Sequence, residues 1–190
     1  MTRALLLTLL VAAGCSEAPA SQVCVARHAE AFKNLEPPPP DMTPAELDAL
    51  TPRGARQAAA LRERLPGPRV RVWASPAGRT RQTAEALSGA VTVTEALRPN
   101  DGDLSWAERR EALARGEDPR PPGGESLADG AARATALLER LELSGGEHAV
   151  LVTHGDVAPL ILGHLAGTPL LERPRRHGLE TGQMRCAPLP

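Results

Sequence analysis

Short apolar runs alternate with longer amphipathic segments over most of the chain. β-Favouring runs predict strands at residues 22–27, 70–73, 91–93 and 149–153, with a final edge strand at 182–189. Helical spacing predicts one helix that begins at Thr51-Pro52 and ends before Pro66, and others at 77–87, 105–114, 126–143 and 157–166. Because strands and helices take turns, the pattern predicts an α/β fold: a three-layer α/β/α sandwich with a mainly parallel sheet.

Loops rich in proline and glycine interrupt this pattern. Residues 35–43 include four consecutive prolines, and residues 116–124 are rich in proline and glycine, so both segments are predicted to be loops. The shapes of loops such as 35–43 and 98–124 do not follow from the sequence.

Length and charge narrow the range of functions. A chain of 190 residues fits one domain with a sizeable core, here assigned to residues 22–190. The net charge is -1 and the pI is about 6.5, and only 2% of the residues are aromatic. Neither a surplus of basic charge nor a set of stacking side chains is present, so nucleic acid is not an expected partner.

The first residues have the pattern of an export signal. Arg3 precedes an apolar run at 4–13, which is too short to span a bilayer, and Gly14-Cys15 follows it. Residues 1–15 are predicted to be a lipoprotein signal in which Cys15 receives the lipid, or else a plain secretory signal peptide. Residues 16–21 are predicted to be a tether. The protein is then exported, periplasmic or anchored to the outer membrane of a bacterium, and it contacts membrane only through the lipid.

Two cysteines remain after residue 15. Cys24 and Cys186 form an even pair in a chain predicted to reach an oxidising compartment, which favours a disulfide. Cys24 also lies in an apolar run, where a free buried thiol is the alternative.

Three predicted strands end in residues suited to binding phosphate. The first ends in Arg27-His28, the second leads through Ser75-Pro76 to Arg79, and the strand at 149–153 is followed by His154-Gly155. Because the carboxyl ends of parallel strands share one edge of the sheet, two guanidinium groups and two imidazoles are expected to converge there. Arginine offers a planar fork of donors that matches phosphate oxygens, so the predicted ligand is a phosphoryl group.

Around these residues the chain resembles the histidine phosphatase superfamily, branch 1, and this resemblance implies a phosphoglycerate mutase-like fold. The segment 25–30 is similar to the Arg-His-Gly motif of that family, with Ala29 in place of the usual glycine. Further similar blocks follow in the family's order, from residue 23 to about 167: Asn34, Leu50 to Gly54 with Gln57, Ala74 to Pro76 with Arg79, Thr83-Ala84, Gly123 to Ser126, and Leu151 to Gly155.

The resemblance implies a role for each of these side chains. His28 is expected to be the nucleophile that carries the phosphoryl group until water displaces it. Arg27, Arg79 and His154 are expected to bind the phosphoryl oxygens, and Asn34 either contacts the phosphate or fixes its own loop. Neither a metal nor a cofactor is expected, and His148, His164 and His177 lack the shared spacing of a zinc site. His28 must be unprotonated at its attacking nitrogen, so its other nitrogen is expected to donate to a backbone carbonyl.

The general acid that protonates the leaving group is less well marked. Many relatives carry a glutamate after a leucine-arginine pair, but here Pro99 follows Leu97-Arg98. Asp101 is the favoured candidate from its place in the loop, and Asp103 and Glu95 are alternatives. The other interpretation is that Asp101 and Asp103 only form a turn around Gly102. Glu125 is a further candidate, but it precedes a helix and is interpreted as structural or as a support for the site residues, because a carboxylate complements the positive end of a helix.

The predicted function is hydrolysis of a phosphomonoester through a phosphohistidine. The substrate is expected to be a phosphorylated small molecule or a phosphoprotein. Its identity is left open, because specificity is expected to lie in loops such as 35–43 and 98–124. A noncatalytic phosphate- or phosphopeptide-binding module of the same fold is the alternative. A phosphomutase is favoured less, because the chain has few residues to close over the site.

Overall fold

A computed structural model describes residues 20–100 and 102–189. Within them a five-stranded sheet has the order β3-β2-β4-β1-β5. The first four strands are parallel and β5 pairs antiparallel with β1 at one edge. The strands are β1 (Gln22–Arg27), β2 (Val70–Ala74), β3 (Val91–Val93), β4 (His148–Thr153) and β5 (Met184–Pro188).

Seven α-helices connect or follow these strands in the described residues. They are α1 (Pro44–Leu47), α2 (Pro52–Arg62), α3 (Gly78–Leu87), α4 (Trp106–Ala114), α5 (Leu127–Leu138), α6 (Ala158–Leu165) and α7 (Arg173–Arg176). Thr51 begins α2 as expected, because its hydroxyl accepts a hydrogen bond from Gly54 N and Pro52 occupies the first turn.

Successive residues of a strand pack into two hydrophobic clusters on opposite faces of the sheet. In β1, Val23 and Val25 pack with residues of α5 and α6, whereas Cys24 and Ala26 pack with residues of α2 and α3. Alternate residues of a strand point to opposite faces of the sheet. A central strand with helices packed on both faces must therefore be apolar throughout. The predicted α/β architecture is confirmed.

Several predicted boundaries differ from the structure. The helix predicted over 126–143 ends at Leu138, where Arg140 N and Leu141 N bond to carbonyls three residues back instead of four. Leu141 and Leu143 still pack against the core from outside the helix, so their apolar spacing extended the prediction beyond the helix end. The short helices α1 and α7 were not predicted, since four residues carry too little periodicity to detect.

Some predictions concern residues outside the described ranges. The export signal at 1–15 and all but the last two residues of the tether lie there, and so does Asp101. Residues 20–100 and 102–189 contain no helix with the length and apolar character needed to cross a bilayer.

Cys24 and Cys186 form a disulfide between β1 and β5. The two residues lie directly opposite each other in the antiparallel register, so their side chains meet on one face of the sheet. The pairing that the sequence left open is thereby decided, and the edge strand is linked covalently to the strand that carries Arg27.

Candidate active site

The carboxyl ends of β1, β2 and β4 bring the predicted residues to one edge of the sheet. Arg27 lies opposite Thr153 in the register, and Ala74 lies opposite Val152. His28 N continues the ladder by donating to Thr153 O at 2.9 Å. The residues just beyond the three strands therefore start from adjacent positions.

His28 is held in one tautomer. Its ring is buried, with 3% of the residue exposed, and Nδ1 lies 2.8 Å from the carbonyl oxygen of Ala29. A carbonyl can only accept, so Nδ1 carries the hydrogen and Nε2 keeps its lone pair. Burial lowers the pKa of His28 to about 4, and the nearby positive charges of Arg79 and Arg27 also lower it. The ring is therefore neutral at physiological pH, as a nucleophile requires.

His154 lies next to His28, with ring centroids 5.4 Å apart in an edge-on arrangement. Its Nδ1 is 2.9 Å from Arg79 Nη2, which can only donate, and its Nε2 is 2.8 Å from Ser75 Oγ. Nδ1 therefore accepts and Nε2 donates. Burial, followed by the charge of Arg79, lowers the pKa of His154 to about 2. Both ring nitrogens have protein partners, and a contact of His154 with phosphate stays a prediction.

Arg79 is fixed from two sides at the start of α3. Besides its bond to His154, its Nη1 donates to Asp48 Oδ1, and Asp48 Oδ2 accepts from Gly78 N at 2.6 Å. Asp48 thus binds the first turn of α3 and orients the guanidinium group that this turn carries. The predicted arginine is in place, and its orienting carboxylate was not predicted.

Arg27 reaches back over the end of β4. Its Nη1 donates to Leu179 O at 2.9 Å, and its guanidinium carbon would lie 3.0 Å from a Cβ atom at Gly155. The φ of Gly155 is not positive, so the backbone conformation does not require glycine there. The glycine instead leaves room for the side chain of Arg27.

Both arginines have an unpaired buried donor. The Nε atoms of Arg27 and Arg79 are buried and lack a hydrogen-bond partner among the described residues. A buried N–H group without a partner is costly, so an acceptor that satisfies both side chains stabilises the site. A phosphoryl group has the oxygens and the charge to do so.

The motif residues around His28 form its support. Ala29 N donates to Thr83 Oγ1 at 3.0 Å, and Thr83 in turn donates to Arg79 O. Glu30 N donates to Gln57 Oε1 at 2.8 Å. These bonds connect the loop after β1 to α2 and α3, so they hold His28 and Arg79 in a common frame.

Asn34 lies on the same loop, but its side chain is engaged locally. Its Oδ1 accepts from Ala31 N at 2.9 Å, and the residue is exposed. This bond fits the alternative that Asn34 fixes its own loop, and its contact with substrate stays a prediction.

Of the acid candidates, Glu125 is held by two arginines. Arg98 and Arg133 each donate two hydrogen bonds to its carboxylate, at 2.7–3.1 Å. Burial raises the pKa of Glu125, but the bonds from Arg133 and Arg98 outweigh it, so the net shift is downward. A carboxylate held ionised in this way suits the structural role expected for Glu125.

The other candidates leave the acid unassigned. The Glu95 side chain is 75% exposed and Asp103 is also exposed. Asp101 lies outside the described residues, between two anchored neighbours. Asn100 N donates to Asp156 Oδ2 at 2.7 Å, and Gly102 has a φ of 118° and packs closely against Pro121.

Asp48, Ser75 and Asp156 were not singled out as functional from the sequence. Asp48 orients Arg79, and Ser75 accepts a hydrogen bond from the N–H of His154. Asp156 accepts a hydrogen bond from Asn100 N and so anchors Asn100 beside the site. Burial raises the pKa of the Asp156 carboxyl, which the backbone N–H of Asn100 opposes. Asp156 directly follows His154-Gly155, and that adjacency was the signal that could have drawn attention to it.

Solved structures of similar fold include a phosphatase and a protein whose name states no activity. A mycobacterial glucosyl-3-phosphoglycerate phosphatase in complex with VO3 is 27% identical, with a TM-score of 0.69 over 88% of this chain and 90% of that one. The protein TTHB049 from Thermus thermophilus is 28% identical, with a TM-score of 0.64 over 87% of this chain and 92% of that one.

Curated relatives are named as probable mutases and not as phosphatases. The probable phosphoglycerate mutase GpmB of Salmonella choleraesuis (strain SC-B67) is 30% identical over 78% of this chain and 76% of its own length. The family model described as histidine phosphatase superfamily (branch 1) matches residues 23–186, which include all four groups that meet at the sheet edge. The chain therefore belongs to branch 1 of the histidine phosphatase superfamily.

Proposed function

We propose that the protein hydrolyses phosphomonoesters through a phosphohistidine on His28. The observation that carries this proposal is the meeting of two neutral imidazoles and two arginines, whose Nε atoms are both buried and unpaired among the described residues. The similarity to a glucosyl-3-phosphoglycerate phosphatase supports hydrolysis as the reaction.

In the first step the Nε2 lone pair of His28 attacks phosphorus and the bond from phosphorus to the ester oxygen breaks. The leaving oxygen takes a proton from an acid, for which Asp101 is proposed. In the second step water attacks phosphorus while the carboxylate of the acid takes back a proton from the water, the N–P bond breaks, and inorganic phosphate, neutral His28 and the protonated acid result. Arg27 and Arg79 stabilise the charge on the phosphoryl oxygens, and losing one such donor typically costs about a hundredfold to a thousandfold in rate.

The test is hydrolysis of 4-nitrophenyl phosphate by the wild type and by His28→Ala. We expect the variant to lose essentially all turnover and the acid-labile phosphate label that the wild type acquires. His164→Ala is the matched control, since His164 lies in the last turn of α6 and, among the hydrogen bonds of the described residues, has none to the four groups. Equal rates for wild type and His28→Ala, or no hydrolysis by either, contradict the proposal, and binding of vanadate without turnover indicates a noncatalytic phosphate-binding module.

The acid is tested with two esters of different leaving groups. An aryl oxygen leaves without much protonation, whereas an alkyl oxygen needs a proton. Asp101→Asn is expected to slow an alkyl phosphate much more than an aryl phosphate. Equal slowing of the two esters, or slowing of neither, shows that Asp101 is not the acid.

A phosphomutase is the second candidate, supported by the name of the relatives that are 30% identical. The two activities are separated by incubating the protein with 3-phosphoglycerate and following the products by phosphorus NMR. A mutase yields 2-phosphoglycerate, whereas a phosphatase yields inorganic phosphate.

We also propose that the protein acts outside the cytoplasm, attached through Cys15. The Cys24–Cys186 disulfide supports an oxidising compartment. Cys15→Ser is expected to release the protein from bacterial membranes into the soluble fraction. A membrane fraction that this substitution leaves unchanged contradicts the lipid anchor and leaves the catalytic proposal unaffected.

A further inference from the structure

A cavity of about 870 Å³ opens beside the proposed phosphate site. Arg27 and Gly155 form part of its lining, so it adjoins the side of the arginine that faces the end of β4. Cavities of roughly 300–1,000 Å³ bury most of a drug-sized ligand. The space therefore far exceeds what a phosphoryl group needs, and it adjoins an arginine that is expected to bind the phosphoryl oxygens.

The walls of this cavity are largely apolar. Trp106 and Leu113 line it from α4, and Leu171, Pro174 and Leu179 line it from the segment around α7. Trp106 is 46% exposed, and only one other large apolar side chain in the described residues, Val93, is as open to solvent. Covering an aromatic ring of this kind with apolar substrate stabilises the complex.

Charges around the cavity balance each other. Apart from Arg27, its lining includes Arg110 and Arg175, and against them Glu172 and Glu180. Glu172 is also paired with Arg176, which lies outside the lining, at 2.7 Å. This part of the lining has as many carboxylates as guanidinium groups, so it provides no surplus of positive charge for a second anionic group. It contrasts with the phosphate site, where two arginines meet.

From this size, lining and charge balance we infer that the cavity binds the leaving group, and that the preferred substrates are phosphomonoesters of bulky, largely apolar alcohols. The inference rests on the proposed phosphatase function and adds the class of substrate. It disfavours small, multiply charged esters such as phosphoglycerates.

The test compares ethyl phosphate with hexyl phosphate. Both leaving alcohols have nearly the same pKa, so a difference in kcat/KM reports contact with the alkyl chain and not leaving-group ability. We expect kcat/KM to be at least about tenfold higher for the hexyl ester, since each buried methylene adds to binding. Equal values, or a lower value for the hexyl ester, overturn the inference.

A variant series assigns the preference to the cavity. Trp106→Ala is expected to lower the hexyl-to-ethyl ratio of kcat/KM by about tenfold, while Trp106→Phe keeps most of it. Val93→Ala is the matched control, because Val93 is equally exposed but does not line the cavity. A ratio that Trp106→Ala leaves unchanged overturns the assignment.

Alkyl phosphonates distinguish failure of this inference from failure of the phosphatase proposal, because they bind without being hydrolysed. Calorimetry is expected to show a lower Kd for hexylphosphonate than for ethylphosphonate. Tighter binding of hexylphosphonate by a protein that hydrolyses no ester supports the apolar subsite and contradicts the phosphatase. Equal binding of the two phosphonates overturns the apolar subsite whether or not esters are hydrolysed.

Discussion

Arg79 donates to Nδ1 of His154 at 2.9 Å, and this one bond determines the tautomer of the histidine. Because Arg79 donates to Nδ1, this nitrogen must keep its lone pair. The hydrogen of the neutral ring is therefore on Nε2, which faces Ser75 Oγ. Protonation of His154 would place two donors against each other. Arg79 therefore keeps His154 neutral by geometry as well as by charge.

The first prediction concerns Asp48, which orients Arg79. Asp48→Asn is expected to lower kcat/KM for 4-nitrophenyl phosphate by about tenfold to hundredfold, because a misplaced guanidinium group no longer fits the transition state. Steady-state kinetics provide the measurement. Asp41→Asn removes an exposed carboxylate from the preceding loop and should leave kcat/KM unchanged. Wild-type activity in Asp48→Asn would show that Arg79 does not need this partner.

The second prediction concerns Gly155. In Gly155→Ala a Cβ atom would lie 3.0 Å from the guanidinium carbon of Arg27, so the side chain must shift. We expect kcat/KM to fall by about tenfold to hundredfold with the fold intact, as judged by circular dichroism. Gly89→Ala is the control, since its Cβ would meet no atom within 4 Å. If Gly155→Ala and Gly89→Ala have the same activity, Arg27 does not depend on this space.

The third prediction concerns stability at low pH. The pKa of His28 is about 4 in the folded chain and near its ordinary value of 6.5 in the unfolded chain, so the unfolded chain binds more protons between these values. Stability due to the neutral ring is complete above pH 6.5 and is lost as pH falls toward 4, by about 1.4 kcal/mol per pH unit. The free energy of unfolding, measured by urea titration between about pH 6 and about pH 4.5, should fall with decreasing pH more steeply for wild type than for His28→Asn. The expected difference in slope is about 1.4 kcal/mol per pH unit. Parallel slopes would contradict the low pKa.

The fourth prediction concerns the Cys24–Cys186 disulfide, which closes a loop across 162 positions. Reduction is expected to lower the free energy of unfolding by roughly 2–5 kcal/mol, because the reduced unfolded chain has more freedom. Urea titrations with and without dithiothreitol provide the measurement. The double variant Cys24→Ala/Cys186→Ala should be less stable than the oxidised wild type and should not respond to dithiothreitol. An oxidised wild type no more stable than this variant would refute the prediction.

The sheet and the four strand-end groups followed from the sequence for a simple reason. A parallel sheet places the ends of its strands at one edge, so Arg27, His28 and His154 need only follow apolar runs to be brought together. The partners of these groups could not be predicted in the same way. Asp48 meets Arg79 from another part of the chain, and no spacing rule links residues on separate elements.

Contacts other than the predicted ones explain the remaining differences between prediction and structure. The amide oxygen of Asn34 accepts from Ala31 N, and a residue name alone does not tell whether such a group faces a ligand or its own loop. The apolar spacing over 126–143 continues past Leu138 because Leu141 and Leu143 pack on the core without being helical. In both cases tertiary contacts decide what the pattern leaves open.

The segment just before β5 holds the two site residues at the end of β1 in place. Leu179 O and Gln183 O accept from Arg27, and Gly182 N donates to His28 O. A growing polypeptide that has β1 to β4 but not yet this segment lacks the backbone groups that hold Arg27 and His28. We therefore expect a polypeptide to stay inactive until residues 179–183 have been made and have folded against the end of β1.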